Sequence, residues 1–221
     1  MKRALFILLI MCAAASASAR IATDFFLAKC DMAFKTLSLK HRTELVKYYE
    51  AHLTAKTAGK AGAQSTQLLE ADDEHLVVET SSVSTDAMYV MPIGKRDTML
   101  VVIHTVQLPA HDSAVEFYNT EWRRFVSPKL FVEPTIDDWI VPGAPENLVT
   151  LLKQSALFVP TSYSLVKSTN EKGKTEYTLQ ATHNLSEFLD KQTFGRVKDI
   201  LRPSISWRHK SSRWQKITDK K

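Results

Sequence analysis

The middle of the chain carries a series of short β-type segments separated by turns, and this pattern restricts the fold more than any other feature. Apolar and β-branched residues alternate with polar ones in four successive segments: 67–70, 74–81, 87–93 and 99–107. Turn-forming sets separate them at 71–73, 84–86 and 94–97. Consecutive strands joined by short turns predict an antiparallel meander.

Further elements flank this meander. A fifth strand is predicted over 114–126, although its mixed alternation does not show which face is buried. Asp24 is predicted to cap a helix over 25–37, and Ser38 a second helix over 39–53. A loop rich in Ala, Gly, Lys and Ser, residues 54–66, then leads into the first strand. Residues 20–126 therefore form a predicted helical and antiparallel-strand unit.

The second half repeats this order of helices and strands. Residues 127–142 contain prolines and show no periodicity, which indicates a connector. Pro145 is suited to the first turn of a helix whose stripe includes Leu148, Leu151 and Leu152. The other predicted elements are a hairpin over 163–168 and 174–182, a helix capped by Asp190 and running through Leu201, and a hairpin over 205–209 and 213–217. The predicted fold class is α+β, with antiparallel sheets packed against helices, and the repeated order favours two tandem helix-plus-sheet units, the second over 143–221.

Residues 1–19 have the composition of a cleavable signal peptide. Lys2 and Arg3 precede an apolar run over 4–15, and Ala17-Ser18-Ala19 supplies the small residues that a signal peptidase reads. A membrane-spanning helix needs about 20 apolar residues, so cleavage after Ala19 is favoured over a transmembrane anchor. The predicted location is the periplasm or the exterior, with no transmembrane segment after cleavage. Lipid attachment at Cys12 is not expected, because Met11 is larger than the residue that normally precedes a lipidated cysteine.

Cysteine and charge counts exclude other classes of protein. Cleavage leaves Cys30 as the one cysteine, so an exported chain of this kind has no internal disulfide and depends on a packed core. Its apolar surroundings predict a buried, inert thiol. Removing Lys2 and Arg3 from 29 basic residues leaves 27 against 24 acidic ones, a net charge of +3. This mild excess and the exported location argue against nucleic acid as a partner.

Three segments together resemble a known family. They are Phe26-Leu27-Ala28 with Leu45 and Tyr48, the turn Asp72-Asp73-Glu74-His75-Leu76, and Phe117-Tyr118-Asn119-Thr120-Glu121-Trp122-Arg123. The chain is similar over nearly all of its mature length to an exported family of Bacteroidales-type bacteria, number 3256 in the domain-of-unknown-function series. The resemblance implies a periplasmic or secreted accessory protein and supplies no catalytic residues.

The sequence lacks the usual catalytic motifs. It contains no Gly-x-Ser-x-Gly elbow, His-Glu-x-x-His, phosphate loop, dinucleotide fingerprint or Cys-x-x-Cys pair. His41 and His52 are eleven residues apart, about 16 Å along a helix axis, which is too far for one metal ion. The acidic sets 72–74 and 137–138 are typical turn formers. No catalytic residue, metal site or cofactor is predicted.

The combination of tryptophan with basic residues is the best binding signal. Both types are over-represented among interface anchors. The candidate binding residues are Trp122, Arg123, Arg124, Trp207, Arg208, His209, Arg213 and Trp214. The alternative, more frequent in proteins, is that each Trp faces the core while each Arg faces water on the opposite side of a strand.

The leading hypothesis is a non-enzymatic envelope protein that binds a protein, peptide or glycan through a sheet face. It expects a continuous exposed patch of Trp and Arg. A hydrolase acting on envelope polymers is the first alternative, and it requires a pocket in which an acidic residue or His converges with a second polar group. A structural subunit of an envelope complex is the second.

Overall fold

The computed structural model describes residues 21–52, 66–93, 97–127 and 129–217. Several predictions concern residues outside these ranges. The signal peptide with Cys12, the loop over 54–65, Leu53 at the end of the second predicted helix, and most of the 94–97 turn lie outside the described residues.

The described residues form helices and two antiparallel sheets. The helices are α1 (Ile21–Leu27), α2 (Leu39–Glu50), α3 (Ile136–Trp139), α4 (Glu146–Ser155), α5 (Leu185–Phe188) and α6 (Lys191–Val197), with a 3₁₀ turn over Lys198–Ile200. The strands are β1 (Gln67–Ala71), β2 (His75–Ser81), β3 (Ser84–Pro92), β4 (Thr98–Val106), β5 (Asp112–Tyr118), β6 (Thr161–Thr169), β7 (Thr175–His183), β8 (Ser204–Lys210) and β9 (Arg213–Lys216). Sheet 1 has the order β1-β2-β3-β4-β5 and sheet 2 the order β6-β7-β8-β9. This architecture confirms the α+β class.

Helices α1 and α2 cover one face of sheet 1. Their buried side chains include Phe26 and Leu45, which share a hydrophobic cluster with Leu76, Met88 and Val102 of the sheet. Ser38 caps α2 as predicted, since its hydroxyl accepts a hydrogen bond from the His41 N–H. We call the hydrophobic cluster between these two helices and sheet 1 the helix-side core.

The opposite face of sheet 1 packs against sheet 2 and the later helices. Val101 and Ile103 of β4 share this second core with Leu179 of β7, Ile205 of β8 and Leu152 of α4. We call it the intersheet core. Strand β4 therefore buries both of its faces, which is why its sequence reads as a nearly continuous apolar run.

The first helix is shorter in the structure than in the prediction. The first helix ends at Leu27, with Asp24 inside it instead of at its cap. Arg42, fully buried, then organises the following segment by donating to the carbonyl of Ala28 at 3.1 Å and to that of Leu37 at 2.5 Å. These tertiary hydrogen bonds fix a non-helical path that the local sequence does not show.

The fifth strand ends at Tyr118, so the prediction of a strand through residue 126 is wrong. The Asn119 side chain accepts hydrogen bonds from the N–H groups of Glu121 and Arg123 and closes a turn. Trp122 lies in this turn with a φ of 60°. Its backbone is therefore left-handed and cannot continue the strand.

The second half confirms the two predicted hairpins and the helix predicted between them, and it adds the short helix α5 before that helix. Strands β6 and β7 pair along their whole lengths, and β8 pairs with β9. Asp190 caps α6 by accepting from the N–H groups of Gln192 and Thr193, as predicted. That helix ends at Val197 and continues as the 3₁₀ turn, short of the predicted end at Leu201. Because α5 and α6 separate β7 from β8, the two halves differ in the order of their elements.

Candidate binding site

The three tryptophans among the candidate residues are buried. Trp122 is 7% exposed, Trp207 3% and Trp214 5%. The expected exposed patch of Trp is therefore not formed, and the expectation needs correction. Trp207 and Trp214 point into the intersheet core because alternate positions of β8 and β9 face opposite sides. Trp122 instead packs edge-on against Phe34 and Tyr118 in the helix-side core.

The basic residues of the candidate set are mostly exposed. Arg123 pairs with Glu121 at 2.9 Å, and Arg124 pairs with Glu116 at 3.0 Å. Arg208 pairs with Glu176 at 3.2 Å across sheet 2. Arg213 is exposed at the start of β9.

His209 differs from these arginines, since its half-buried ring lies 5.3 Å from that of Trp214. Burial lowers the pKa of His209. The candidate residues do not form one site, because Trp122 packs in the helix-side core whereas Trp207 and Trp214 pack in the core on the other face of sheet 1.

A pocket does form beside Trp207 and Trp214. Its volume is about 230 Å³. The lining residues are Lys129, Phe131, Val132, Glu133, Pro134, Asp138, Trp207, Trp214 and Lys216. We call it the connector pocket, because one wall belongs to the segment that the sequence predicts as a connector. The N–H of Trp214 donates to the carbonyl of Leu130 at 2.7 Å and so fixes this wall against β9.

The floor of the connector pocket is continuous with an aromatic cluster in the intersheet core. The rings of Phe131 and Trp207 lie 5.2 Å apart, and those of Phe117 and Trp214 lie 5.9 Å apart. Tyr163 extends the cluster at 6.0 Å from Phe131. Phe131 packs edge-to-face against Trp207 and Tyr163, whereas the rings of Phe117 and Trp214 are tilted by 34°. The floor is therefore aromatic and apolar, while the rim carries charge.

Asp138 is the acidic residue at the rim that has the most contacts. Its Oδ2 accepts from the N–H of Thr135 at 2.8 Å and from the Thr135 hydroxyl at 3.0 Å, and its Oδ1 accepts from Lys216. Although burial favours the protonated form, the hydrogen bonds of Lys216 and Thr135 outweigh it and lower the pKa of Asp138. An ionised carboxylate with three donors closes the first turn of α3 and is poorly suited to act as a general acid. The pocket thus meets the geometric requirement of the hydrolase hypothesis, but Asp138 is poorly suited to supply its general acid.

A second polar cluster lies on the helix-side face of sheet 1. The Nδ1 of His104 is 2.8 Å from Asp86 Oδ1, and its Nε2 is 3.6 Å from Glu116 Oε2. Glu116 also accepts from the hydroxyl of Tyr118 and pairs with Arg124. Burial opposes a charge on His104, but Asp86 and Glu116 outweigh this effect and raise the pKa of His104.

Both ring nitrogens of His104 face carboxylates. Within the described ranges, no group of three or more His, Cys, Asp or Glu residues is placed to hold a metal ion. Cys30 is buried, as predicted, and donates to the Phe26 carbonyl at 3.2 Å. Burial raises the pKa of Cys30 to about 11, which keeps the thiol protonated.

Sequence reasoning missed the pocket wall at residues 129–134. The signal that could have revealed it is the apolar run Leu130-Phe131-Val132 inside a stretch otherwise interpreted as a connector. Leu130 is buried, whereas Val132 is 66% exposed at the pocket.

The two antiparallel sheets and their helices define an α+β protein, and the comparisons with known proteins give its family. The chain belongs to the family described as "Protein of unknown function (DUF3256)", whose model matches residues 14–214. A solved domain of an uncharacterized protein from Porphyromonas gingivalis W83 has a similar fold, with a TM-score of 0.69 and 20% identity. The match covers 89% of this chain and 98% of that domain.

No curated protein matches the chain. In the part of the chain that the structure describes, no helix has the length and apolar character needed to cross a bilayer.

Proposed function

We propose that this protein is a non-enzymatic binding protein of the bacterial envelope and that it holds part of its partner in the connector pocket. The proposal rests on the lining of that pocket, where Phe131, Trp207 and Trp214 meet a rim of four charged side chains. An apolar floor with a few polar groups around it is typical of binding sites. The predicted export and the resemblance to an exported family support the envelope location.

The size of the pocket favours a particular kind of partner. At about 230 Å³ it is smaller than the roughly 300–1,000 Å³ typical of small-molecule sites. It therefore suits one anchoring side chain or one sugar ring of a larger partner better than a whole free ligand. Two lysines and two acidic residues line it, so the rim has no net charge. An uncharged anchor with hydrogen-bonding groups fits this rim best.

The test uses Val132, which is 66% exposed and lines the pocket. A photo-crosslinking amino acid is introduced at Val132 in the native cell, and adducts are identified by mass spectrometry. We expect a discrete peptide or glycan adduct. Val83, 39% exposed in the turn between β2 and β3, receives the same substitution as a matched control. Identical adduct patterns at the two positions would contradict binding at the pocket.

Export is a separate part of the proposal with its own measurement. Mass spectrometry of the native protein should find an N-terminus at or near Arg20, because residues 1–19 have the composition of a cleavable signal. An intact Met1, or a lipid on Cys12, would contradict cleavage after Ala19.

A further inference from the structure

The side chains of sheet 2 that point away from the intersheet core form a mainly polar surface, which we call the outer face. Since Leu179, Ala181 and Trp207 point into the core, their neighbours along β7 and β8 point outward. The register places hydroxyl and amide side chains beside one another in two cross-strand rows. The rows are Ser162–Thr182–Ser204 and Ser164–Gln180–Ser206.

Cations gather at one end of the outer face. Lys210 and Arg213 are directly opposite each other on β8 and β9, and both are exposed. Lys174 lies in the turn between β6 and β7 at the same end, because Thr178 of β7 is opposite Arg208 of β8. Within the described residues, none of these three cations forms an ion pair with a carboxylate, whereas Arg208 is neutralised by Glu176 at 3.2 Å.

This pairing of Lys210 with Arg213 is unfavourable for the hairpin. Like charges directly opposite on neighbouring strands repel and destabilise a sheet. The turn between them adds a second unfavourable feature, because Ser211 and Ser212 have φ values of 51° and 61°. Turns with two such residues normally use Asn-Gly, since side chains disfavour the left-handed region. Departures of this kind concentrate at functional sites.

We propose that this end of the outer face binds an acidic polysaccharide. Carboxylate or sulfate groups of the polymer lie against Lys210, Arg213 and Lys174 and remove the repulsion between the two strands. The rows of Ser, Thr and Gln behind them donate and accept hydrogen bonds with sugar hydroxyls. These three cations are exposed on the surface, so an extended polymer that contacts several of them fits better than a single small anion. This surface is separate from the connector pocket.

The experiment measures binding of the purified protein to immobilised polygalacturonate and dextran sulfate at low salt, with neutral dextran and phosphatidylglycerol vesicles as further probes. The variant is Lys210→Gln with Arg213→Gln. The matched control is Lys35→Gln with Lys40→Gln, which removes the same charge from exposed positions of the first half. We expect affinity to fall about tenfold or more in the variant, because each exposed cation facing a dense anionic surface contributes a factor of about five. The control should retain affinity within about twofold.

A further variant, Ser206→Asp, places an anion on the outer face and should also weaken binding while melting temperature shows that the fold is kept. Three outcomes would overturn the proposal. Equal losses in the two double variants would assign binding to net charge. Equal binding of neutral dextran would remove the role of the cations. Binding to vesicles without binding to either polysaccharide would show that the outer face binds a lipid surface instead.

Discussion

Sheet 1 and sheet 2 are both antiparallel, but they differ in what covers them. Sheet 1 is covered by α1 and α2 on one face and by sheet 2 on the other, so β4 is apolar on both sides. Sheet 2 has one face in the core and one face lined by Ser, Thr, Gln and charged residues. Sheet 1 thus serves mainly to build the fold, and the two surfaces that we propose for binding belong to sheet 2 and to the connector segment beside it.

The largest expected effect comes from placing a charge in each sheet. Val102→Asp in β4 should lower the free energy of unfolding by about 4 kcal/mol or more, because Val102 is fully buried and the new carboxylate would be an unpaired charge in the core. Val166→Asp in β6 should change stability by less than about 0.5 kcal/mol, since Val166 is 43% exposed on the outer face. Urea denaturation of both variants provides the measurement. Similar losses of unfolding free energy in the two variants would contradict the difference in burial between the two sheets.

The next effect concerns α4, which helps to cover the intersheet core. Leu152 is 0% exposed, so Leu152→Ala should lower the free energy of unfolding by about 2–5 kcal/mol. Leu151→Ala should cost less, because Leu151 is only partly buried. Gln154→Ala is the exposed control, preferable to Lys153→Ala because Lys153 pairs with Asp137 at 2.5 Å. Equal denaturation midpoints for all three variants would show that α4 is not docked.

The two sheets should also differ in how pH affects their contribution to stability. The pKa of His104 in sheet 1 is raised by Asp86 and Glu116 against the effect of burial, so its contribution is complete below about pH 6.5 and is lost as pH rises through its folded pKa. Burial lowers the pKa of His209 in sheet 2. Its contribution is therefore complete above about pH 6.5 and is lost as pH falls through its folded pKa.

Unfolding free energies of the wild type, His104→Gln and His209→Gln between pH 5 and pH 9 separate these two effects. His104→Gln should remove part of the loss of stability that occurs as pH rises. His209→Gln should remove part of the loss of stability that occurs as pH falls. Each variant is the control for the other. Parallel pH curves for all three proteins would contradict the assignment.

The smallest expected effect comes from substitutions in the two hairpin turns of sheet 2. Ser212→Gly should stabilise the protein by about 1 kcal/mol, because glycine adopts a positive φ without the steric cost that serine has at 61°. Gly173→Ala should destabilise by a similar amount, since Gly173 has a φ of 73°. Melting temperatures of the two variants give the measurement. A stabilising Gly173→Ala would show that this turn relaxes to another conformation.

Much of the local structure was predictable because it depends on residues close together in sequence. The Ser38 and Asp190 caps each bond to N–H groups two or three residues away, and the hairpins follow from alternation and turn residues. The errors arose where a distant group or a side-chain turn intervened. Arg42 ends the helical path after Leu27, and Asn119 ends the strand after Tyr118.

The sequence by itself determined the α+β class, the family, and the presence of tryptophan beside basic residues near the C-terminus. Only the tertiary structure decided that Trp207 and Trp214 face inward and that residues 129–138 close a pocket over them. Alternation along a strand shows that one face is buried, but either face of an isolated strand can take that role. The choice depends on which apolar surface is available to cover it, and that surface comes from segments about seventy residues away in the chain.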